Sequence, residues 1–150
     1  MSDWKSLEKD LGNWLASFAS DVLCFRKRFP EDGFISDGML TDGRILIAVE
    51  IEAGQTHPDT NVAKYWWLQE KHHAYDKIIL FHVYTPAFNR CEGRKRLGEF
   101  LVDKMKEQGV PIEYVPCDYR EASSYSAVLS ELREAIERKI TEEFGSARRG

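Results

Sequence analysis

Apolar and polar positions alternate along the chain with two periods, one typical of helices and one of strands. Near the start, apolar residues recur at steps of three and four, as in an amphipathic helix. They are Trp4, Leu7, Leu11, Trp14, Leu15 and Phe18. The run KIILFHVY at 77–84 is apolar almost throughout, like a strand buried on both faces, and 124–144 again repeats apolar residues at helical spacing. The pattern predicts an α/β fold.

Three strands are predicted between the first helix and residue 52. The segment VLCFRKRF at 22–29 is able to continue the first helix or to form a strand, and we favour the strand. GFISDGML and RILIAVEIE follow it, and both have the composition of strands. Thr41-Asp42-Gly43 lies between them with the residue types of a tight turn, so we expect a hairpin.

Helices and strands alternate in the remainder of the chain. A helix is expected through NVAKYWWLQEKHH, with Asp59 or Thr60 as its N-cap. After the KIILFHVY strand, a second helix is expected from about residue 94 to 108, ended by Gly109, and PIEYVP forms a short strand. No linker, repeat or low-complexity tract divides the chain. We therefore expect one domain over residues 1–150, with a mixed sheet flanked by helices.

Three carboxylates lie on the two predicted strands of the hairpin. Asp37 is expected at a junction of turn and strand, and Glu50 and Glu52 are two residues apart, so they share one strand face. The other face carries Ile45, Ile47, Val49 and Ile51. Carboxylates on a buried strand repel each other and lose hydration, and a hard cation with oxygen ligands offsets both costs. The set predicts a divalent-metal site, although Asp-Gly is also a common turn pair in which Asp37 merely caps a turn.

The order of elements and acids resembles the PD-(D/E)xK nuclease superfamily, which has a restriction-endonuclease-like αβββαβ core. Asp37 in Ser36-Asp37-Gly38 matches the first acid of the motif, with serine where the family has proline. Glu50 matches the second acid, and Glu52 stands where the family has lysine. The resemblance covers about residues 5–85 and implies that the acids bind Mg²⁺ or Mn²⁺. The last helix would be an addition to this core.

The glutamate at position 52 is compatible with two variants of the motif that occur within the superfamily. In some members a glutamate there acts as a ligand or general base, and in others the lysine has moved to the following helix, where this chain has Lys64. Asn61, one turn earlier, would face the same acids, and Gln55 would hold a water or a phosphate oxygen. Glu8 matches a further acid that several members place on the first helix, although a surface role is the simpler interpretation.

Charge bears on the partner that such a site would have. The formal net charge is −4 and the pI is near 5.6, which argues against binding nucleic acid by overall charge. One or two divalent ions at the acids would offset much of this excess. A basic cluster would contact the phosphate backbone of DNA, the expected partner, although such a run is more often a solvated face. It consists of Arg90, Arg94, Lys95 and Arg96.

Histidine and aromatic residues elsewhere have simpler interpretations. His82 lies in the apolar strand and is expected to be a core histidine with satisfied hydrogen bonds. Tyr65, Trp66 and Trp67 are consecutive on one helix, so they cannot all face the core. We expect two of them inside and one on the surface, where it would contact a partner or a nucleobase.

Cellular location and assembly follow from composition. The three cysteines form no CxxC or CxxH pattern, which favours reduced thiols in a cytoplasmic protein. No apolar run approaches the ~20 residues of a membrane span, so no membrane partner is expected. Cutting both DNA strands needs two active sites, which makes a homodimer one expected assembly.

The leading hypothesis is therefore a Mg²⁺- or Mn²⁺-dependent phosphodiesterase, endonuclease-like, that cleaves DNA by attack of metal-activated water. The alternative is a catalytically inactive restriction-endonuclease-like domain that serves as a nucleic-acid- or protein-binding module. The glutamate at position 52 and the acidic pI are compatible with it. A third, weaker hypothesis is a metal-dependent hydrolase of another class on a similar sheet.

Overall fold

The computed structural model describes residues 4–54, 57–88 and 92–145. They form nine elements: α1 (Ser6–Ala16), β1 (Cys24–Arg28), β2 (Ile35–Thr41), β3 (Ile45–Glu52), α2 (Pro58–His72), β4 (Lys77–Tyr84), α3 (Glu92–Glu107), β5 (Ile112–Asp118) and α4 (Tyr125–Phe144). The predicted α/β class and order of elements are confirmed. In the described ranges, no helix is both long and apolar enough to cross a membrane.

The five strands form one mixed sheet in chain order, β1-β2-β3-β4-β5. β1, β2 and β3 pair antiparallel, whereas β3, β4 and β5 are parallel. Parallel neighbours need a long crossover connection, and α2 and α3 provide the two crossovers. β4 is buried from Ile78 to Tyr84, as its continuous apolar run predicts.

Helices cover both faces of this sheet. Buried residues of α1 and α4 pack against Ile47, Val49 and Ile51 of β3 on one face. Buried residues of α2 and α3 pack against Leu46 and Ala48 of the same strand on the other face. Because side chains alternate along a strand, the residues at positions 50 and 52 continue the face covered by α2 and α3.

The hairpin forms as the turn residues predict. The Asp42 Oδ1 atom accepts hydrogen bonds from the backbone N–H groups of Arg44 and Ile45, both at 2.9 Å. Gly43 has φ +96°, a conformation that glycine adopts without steric cost. The first strand, β1, is also confirmed, so the ambiguous segment does not continue the helix.

The predicted N-cap of α2 is wrong by two or three residues. His57 is the N-cap and Pro58 is the first helical residue, whereas Asp59 or Thr60 was expected as the cap. Proline is suited to the first helical position because its φ is already helical and its missing N–H has no partner to lose there. Asp59 lies instead in the first turn, where the helix dipole favours a negative charge.

Leu132→Ala is expected to lower the free energy of unfolding by about 2–5 kcal/mol, because it opens a cavity in a close-packed core. Leu132 lies on α4 and is fully buried against the face that α1 also covers. Urea denaturation measures the loss, with Ser130→Ala on the exposed side of α4 as the matched control. Equal stability of the two variants would mean that α4 does not pack on the sheet in solution.

Candidate active site

The candidate site begins where β2 and β3 separate. Their pairing ends at Gly38 and Val49, so the next backbone groups of β3 need other partners. The Asp37 Oδ2 atom accepts a hydrogen bond from the backbone N–H of Ile51 at 2.6 Å. Asp37 therefore lies inside β2, not at the junction of turn and strand, and its carboxylate takes the place of a ladder acceptor.

Glu50 is the most constrained acid of the site. Its side chain is almost fully buried, with the residue 2% exposed. The Glu50 Oε2 atom accepts a hydrogen bond from the Tyr65 hydroxyl at 2.5 Å and lies 2.8 Å from the Lys64 Nζ atom. Lys64 also donates to the Ile35 carbonyl at 2.6 Å and to the Asn61 Oδ1 atom at 3.1 Å. The lysine of α2 thus reaches Glu50 of β3.

Glu52 has a different set of partners. Its Oε2 atom accepts a hydrogen bond from the Asn61 side-chain amide at 2.7 Å and lies 2.7 Å from the His82 Nε2 atom. The residue is 0% exposed. Its other carboxylate oxygen, Oε1, is buried and has no hydrogen-bond partner among the described residues. A buried acceptor without a donor is costly, so this oxygen needs an explanation.

Burial and like charges disturb the titration of two acids. Burial, together with the Glu50 charge, raises the pKa of Asp37 from 3.8 to about 8, and the charge of Glu8 adds to this effect. Burial also raises the pKa of Glu50, although the nearby Lys64 ammonium opposes the shift. Two neighbouring acids whose pKa values are both raised by burial form a site that a cation would stabilise.

These donors fit a hard divalent cation in part. Asp37 and Glu50 offer carboxylate oxygens, which Mg²⁺ and Mn²⁺ prefer, and the Glu52 Oε1 atom has a free acceptor position. However, in the part of the chain that is described, no group of three histidine, cysteine or carboxylate side chains is arranged to hold an ion. The fit is clearest for the Asp37–Glu50 pair, because Glu52 has its main contacts with Asn61 and His82.

The other predicted site residues are dispersed. Glu8 is exposed on α1 and acts on Asp37 only through its charge. Gln55 and Arg90 lie outside the described residues.

The basic cluster on α3 does not present one surface. Lys95 is 9% exposed, and its Nζ atom lies 2.8 Å from Glu99 and over the Tyr84 ring. Arg94 is 3.5 Å from Asp59, and Arg96 is exposed. Three consecutive residues of a helix point in different directions, which explains the split. The expectation of a shared phosphate-contacting surface is corrected accordingly: Lys95 packs inward.

Two residues near the acids were not predicted as part of the site. Tyr65 is fully buried and joins Glu50 to the Ser36 hydroxyl, which lies 3.1 Å from the tyrosine oxygen. His82 is a buried histidine with both ring nitrogens hydrogen-bonded, as expected, but its partner Glu52 was not foreseen. The register of β3 and β4 explains this contact. His82 pairs with Glu50 on the adjacent strand, so both side chains lie on the sheet face that α2 and α3 cover.

The aromatic run on α2 divides between core and surface as predicted. Tyr65 is buried, and Trp66 packs in part against the same core. Trp67 is 45% exposed, and its indole N–H donates to Asp32 at 2.8 Å. Whether Trp67 contacts a partner stays a prediction.

Asp37→Asn is expected to stabilise the metal-free protein at pH 8 by about 1–3 kcal/mol. The pKa of Asp37 is raised to about 8 in the folded protein, whereas in the unfolded chain it is near 3.8. Between these pH values the folded protein holds a proton on Asp37 that the unfolded chain has lost. The wild type therefore loses stability as the pH rises from about 4 to 8, whereas neutral asparagine does not and still accepts from Ile51. Urea denaturation in EDTA at several pH values measures the difference, with the exposed Asp103→Asn as control. Parallel pH profiles for wild type and Asp37→Asn would contradict this prediction.

The comparisons with known proteins identify no relative: no family model matches the chain, and no curated protein or solved structure gives a significant match.

Proposed function

We propose that this protein is a Mg²⁺- or Mn²⁺-dependent phosphodiesterase that cleaves DNA, with a restriction-endonuclease-like fold. One observation carries the proposal: the Lys64 ammonium of α2 lies 2.8 Å from Glu50, whose charge raises the pKa of the nearby Asp37. The proximity of a lysine and two acids from three different elements supports the proposal. The cost of burying these charges together is a reason to look for a function at this place.

The arrangement of elements supports the fold part of the proposal. The order helix, three antiparallel strands, helix and parallel strand matches the αβββαβ core that the resemblance implies. The first acid lies on β2, the next two on β3 and the lysine on α2. β5 with its preceding helix α3, and the closing helix α4, extend this core.

The chemistry assigns a role to each side chain. Asp37 and Glu50 would hold the cation, which supplies charge neutralisation and a more acidic water when bound. Hydrolysis adds a water oxygen to phosphorus and breaks the bond to one ester oxygen, so one water proton must leave and the departing oxygen must gain one. Glu52 would be a further ligand of the cation or would accept the proton from its water. Lys64 would offset the negative charge that grows on the phosphoryl oxygens.

DNA and a second copy of the chain are the partners that we propose. Arg96 is exposed and Arg94 is half-buried beside Asp59, so Arg96 and, in part, Arg94 are available to contact phosphates. A homodimer would bring two sites to the two strands of a duplex.

Cleavage of supercoiled plasmid and of branched DNA tests the proposal. We expect nicking in Mg²⁺ or Mn²⁺ and none in EDTA, and we expect the same cations to raise the melting temperature. An RNA oligonucleotide of matched sequence tests the DNA part. Absence of cleavage on every substrate, with a melting temperature that the cations do not change, would remove the proposal.

A second candidate function is favoured by a specific observation. Glu50 is already paired with Lys64 and Tyr65, and Glu52 with Asn61 and His82, so each acid has protein partners without any cation. Such pairing suits a domain that has lost catalysis and acts as a nucleic-acid- or protein-binding module. DNA binding in EDTA, without cleavage and without stabilisation by cations, would select this function.

A further inference from the structure

A buried chain of polar side chains ends at Glu52. The His82 Nε2 atom lies 2.7 Å from the Glu52 Oε2 atom, and the His82 Nδ1 atom lies 2.7 Å from the Tyr114 hydroxyl. The Tyr84 hydroxyl is 3.3 Å from the same Nδ1 atom. Glu52, His82 and Tyr84 are 0% exposed. The chain therefore crosses from the half-buried Tyr114 on β5 through β4 to the buried end of β3.

For a neutral His82 beside an ionised Glu52, one arrangement of the hydrogens satisfies both ring nitrogens. Burial raises the pKa of Tyr114 far above its ordinary value, so this hydroxyl keeps its proton and can donate it. If Tyr114 donates to Nδ1, the neutral imidazole carries its hydrogen on Nε2 and donates it to Glu52. The Asn61 amide donates to the same Oε2 atom. Two donors thus converge on one oxygen of Glu52.

The second oxygen is left without a donor. Oε1 is buried and has no partner among the described residues, although its neighbour Oε2 has two. A network that served only to stabilise the core would gain by satisfying both oxygens, because a half-satisfied buried carboxylate is costly. Two donors on Oε2 and none on Oε1 is the arrangement expected of a carboxylate that is held in place through one oxygen and binds a ligand through the other.

We propose that His82 is a positioning residue: with Tyr114 behind it, it fixes Glu52 through Oε2 and leaves Oε1 to serve the cation or its water. This inference rests on the proposed function and deepens it. His82 itself would touch neither substrate nor cation. It would act by fixing the rotamer of Glu52, as outer hydrogen-bond partners do for ligating carboxylates in metal sites.

Two substitutions of His82 separate this role from packing. In His82→Gln, the side-chain amide nitrogen replaces Nε2 and keeps a donor for Glu52. In His82→Asn, the shorter amide replaces Nδ1 and leaves Glu52 without that donor. Both variants lose one half of the network, so a purely structural role predicts similar effects. Calorimetric titration of the EDTA-treated protein with Mg²⁺ alone gives the dissociation constant at a temperature where each variant is folded.

We expect His82→Asn to weaken Mg²⁺ binding by about 10–100-fold and His82→Gln by only a few-fold. Tyr114→Phe, which keeps the ring and removes the hydroxyl, is expected to fall between them and replaces His82→Asn if that variant does not fold. If the wild type binds Mg²⁺ and cleaves DNA but all variants have the same dissociation constant, only the proposed role of His82 is overturned. A wild type that neither binds Mg²⁺ nor cleaves would overturn the proposed function as well.

The tautomer of His82 provides a readout without any cation. Nitrogen-15 NMR of the metal-free wild type distinguishes a proton on Nε2 from one on Nδ1, and we expect the proton on Nε2. Tyr114→Phe should weaken this preference. A proton on Nδ1 with none on Nε2 in the wild type would mean that His82 does not donate to Glu52, which would refute the proposal.

Discussion

Asp37→Asn is expected to lower metal-dependent DNA cleavage by about 10³-fold, the scale of losing one key electrostatic group in an active site. The substitution keeps the size of the side chain and its hydrogen bond from the Ile51 N–H, so the local structure has no reason to change. It removes the negative charge that would hold the cation. Since the same variant should be more stable than the wild type in EDTA, a loss of cleavage cannot be attributed to unfolding.

Single-turnover cleavage at increasing Mg²⁺ concentrations is the measurement for Asp37→Asn. If the carboxylate binds the cation, the residual rate should need more Mg²⁺ to reach its plateau. Asp103→Asn, which removes an exposed acid from α3, controls for the change in net charge and should cleave like the wild type. Cleavage by Asp37→Asn at the wild-type rate would exclude Asp37 from the active site.

Lys64→Met is expected to destabilise the fold by about 3–5 kcal/mol, because it leaves the buried charge of Glu50 without its partner. Both side chains are more than nine-tenths buried at their contact. The substitution also removes the hydrogen bonds that the same ammonium donates to the Ile35 carbonyl and to the Asn61 Oδ1 atom. Methionine has a similar length and keeps the apolar stem, so the loss reports on the charge and not on a cavity.

A double substitution tests the cause of this loss. Glu50→Gln removes the charge and retains an acceptor for the Tyr65 hydroxyl, so Lys64→Met/Glu50→Gln should recover more than half of the stability that Lys64→Met loses. Lys106→Met, an exposed substitution on α3, should stay within about 0.5 kcal/mol of the wild type. Additive effects of the two substitutions in urea denaturation would show that Lys64 and Glu50 do not interact.

The two predictions together describe a site whose charges oppose stability. Burial raises the pKa of Asp37, so its charged form is expected to destabilise the metal-free fold, whereas the Lys64 ammonium lies 2.8 Å from Glu50 and offsets its charge. Residues that lower stability and have no role are replaced readily by neutral ones, whereas functional sites retain them. Adding Mg²⁺ or Mn²⁺ should therefore raise the stability of the wild type more than that of Asp37→Asn.

Periodic segments were predictable because their signal is local. The alternation of RILIAVEIE specifies which residues share a strand face, and the structure has Glu50 and Glu52 on the face opposite Ile47, Val49 and Ile51. The hairpin turn follows from Asp42 and Gly43, whose conformational preferences do not depend on the rest of the chain. The start of α2 was misplaced because Asp59 and Thr60 are residue types that favour the N-cap, whereas Pro58 favours the first helical position. In the structure the helix begins at Pro58.

Contacts within the candidate site were only partly predictable. The approach of Lys64 to the acids was inferred from helical spacing and a family resemblance, and the structure brings its ammonium to Glu50. The partnership of His82 with Glu52 was not inferred, because it depends on the parallel register of β3 and β4. The inward position of Lys95 was also missed, since a run of basic residues does not show which side of a helix meets the core.

The sequence by itself determined the α/β class, the order of helices and strands, the hairpin and the shared face of Glu50 and Glu52. These follow from side-chain periodicity and turn chemistry, which act over a few residues. Only the tertiary structure decided that Lys64 pairs with Glu50, that His82 and Asn61 hold one oxygen of Glu52, and that the other oxygen has no donor among the described residues. Those contacts join residues far apart in the chain, and their distances and burial arise from packing of α2 and β4 against β3.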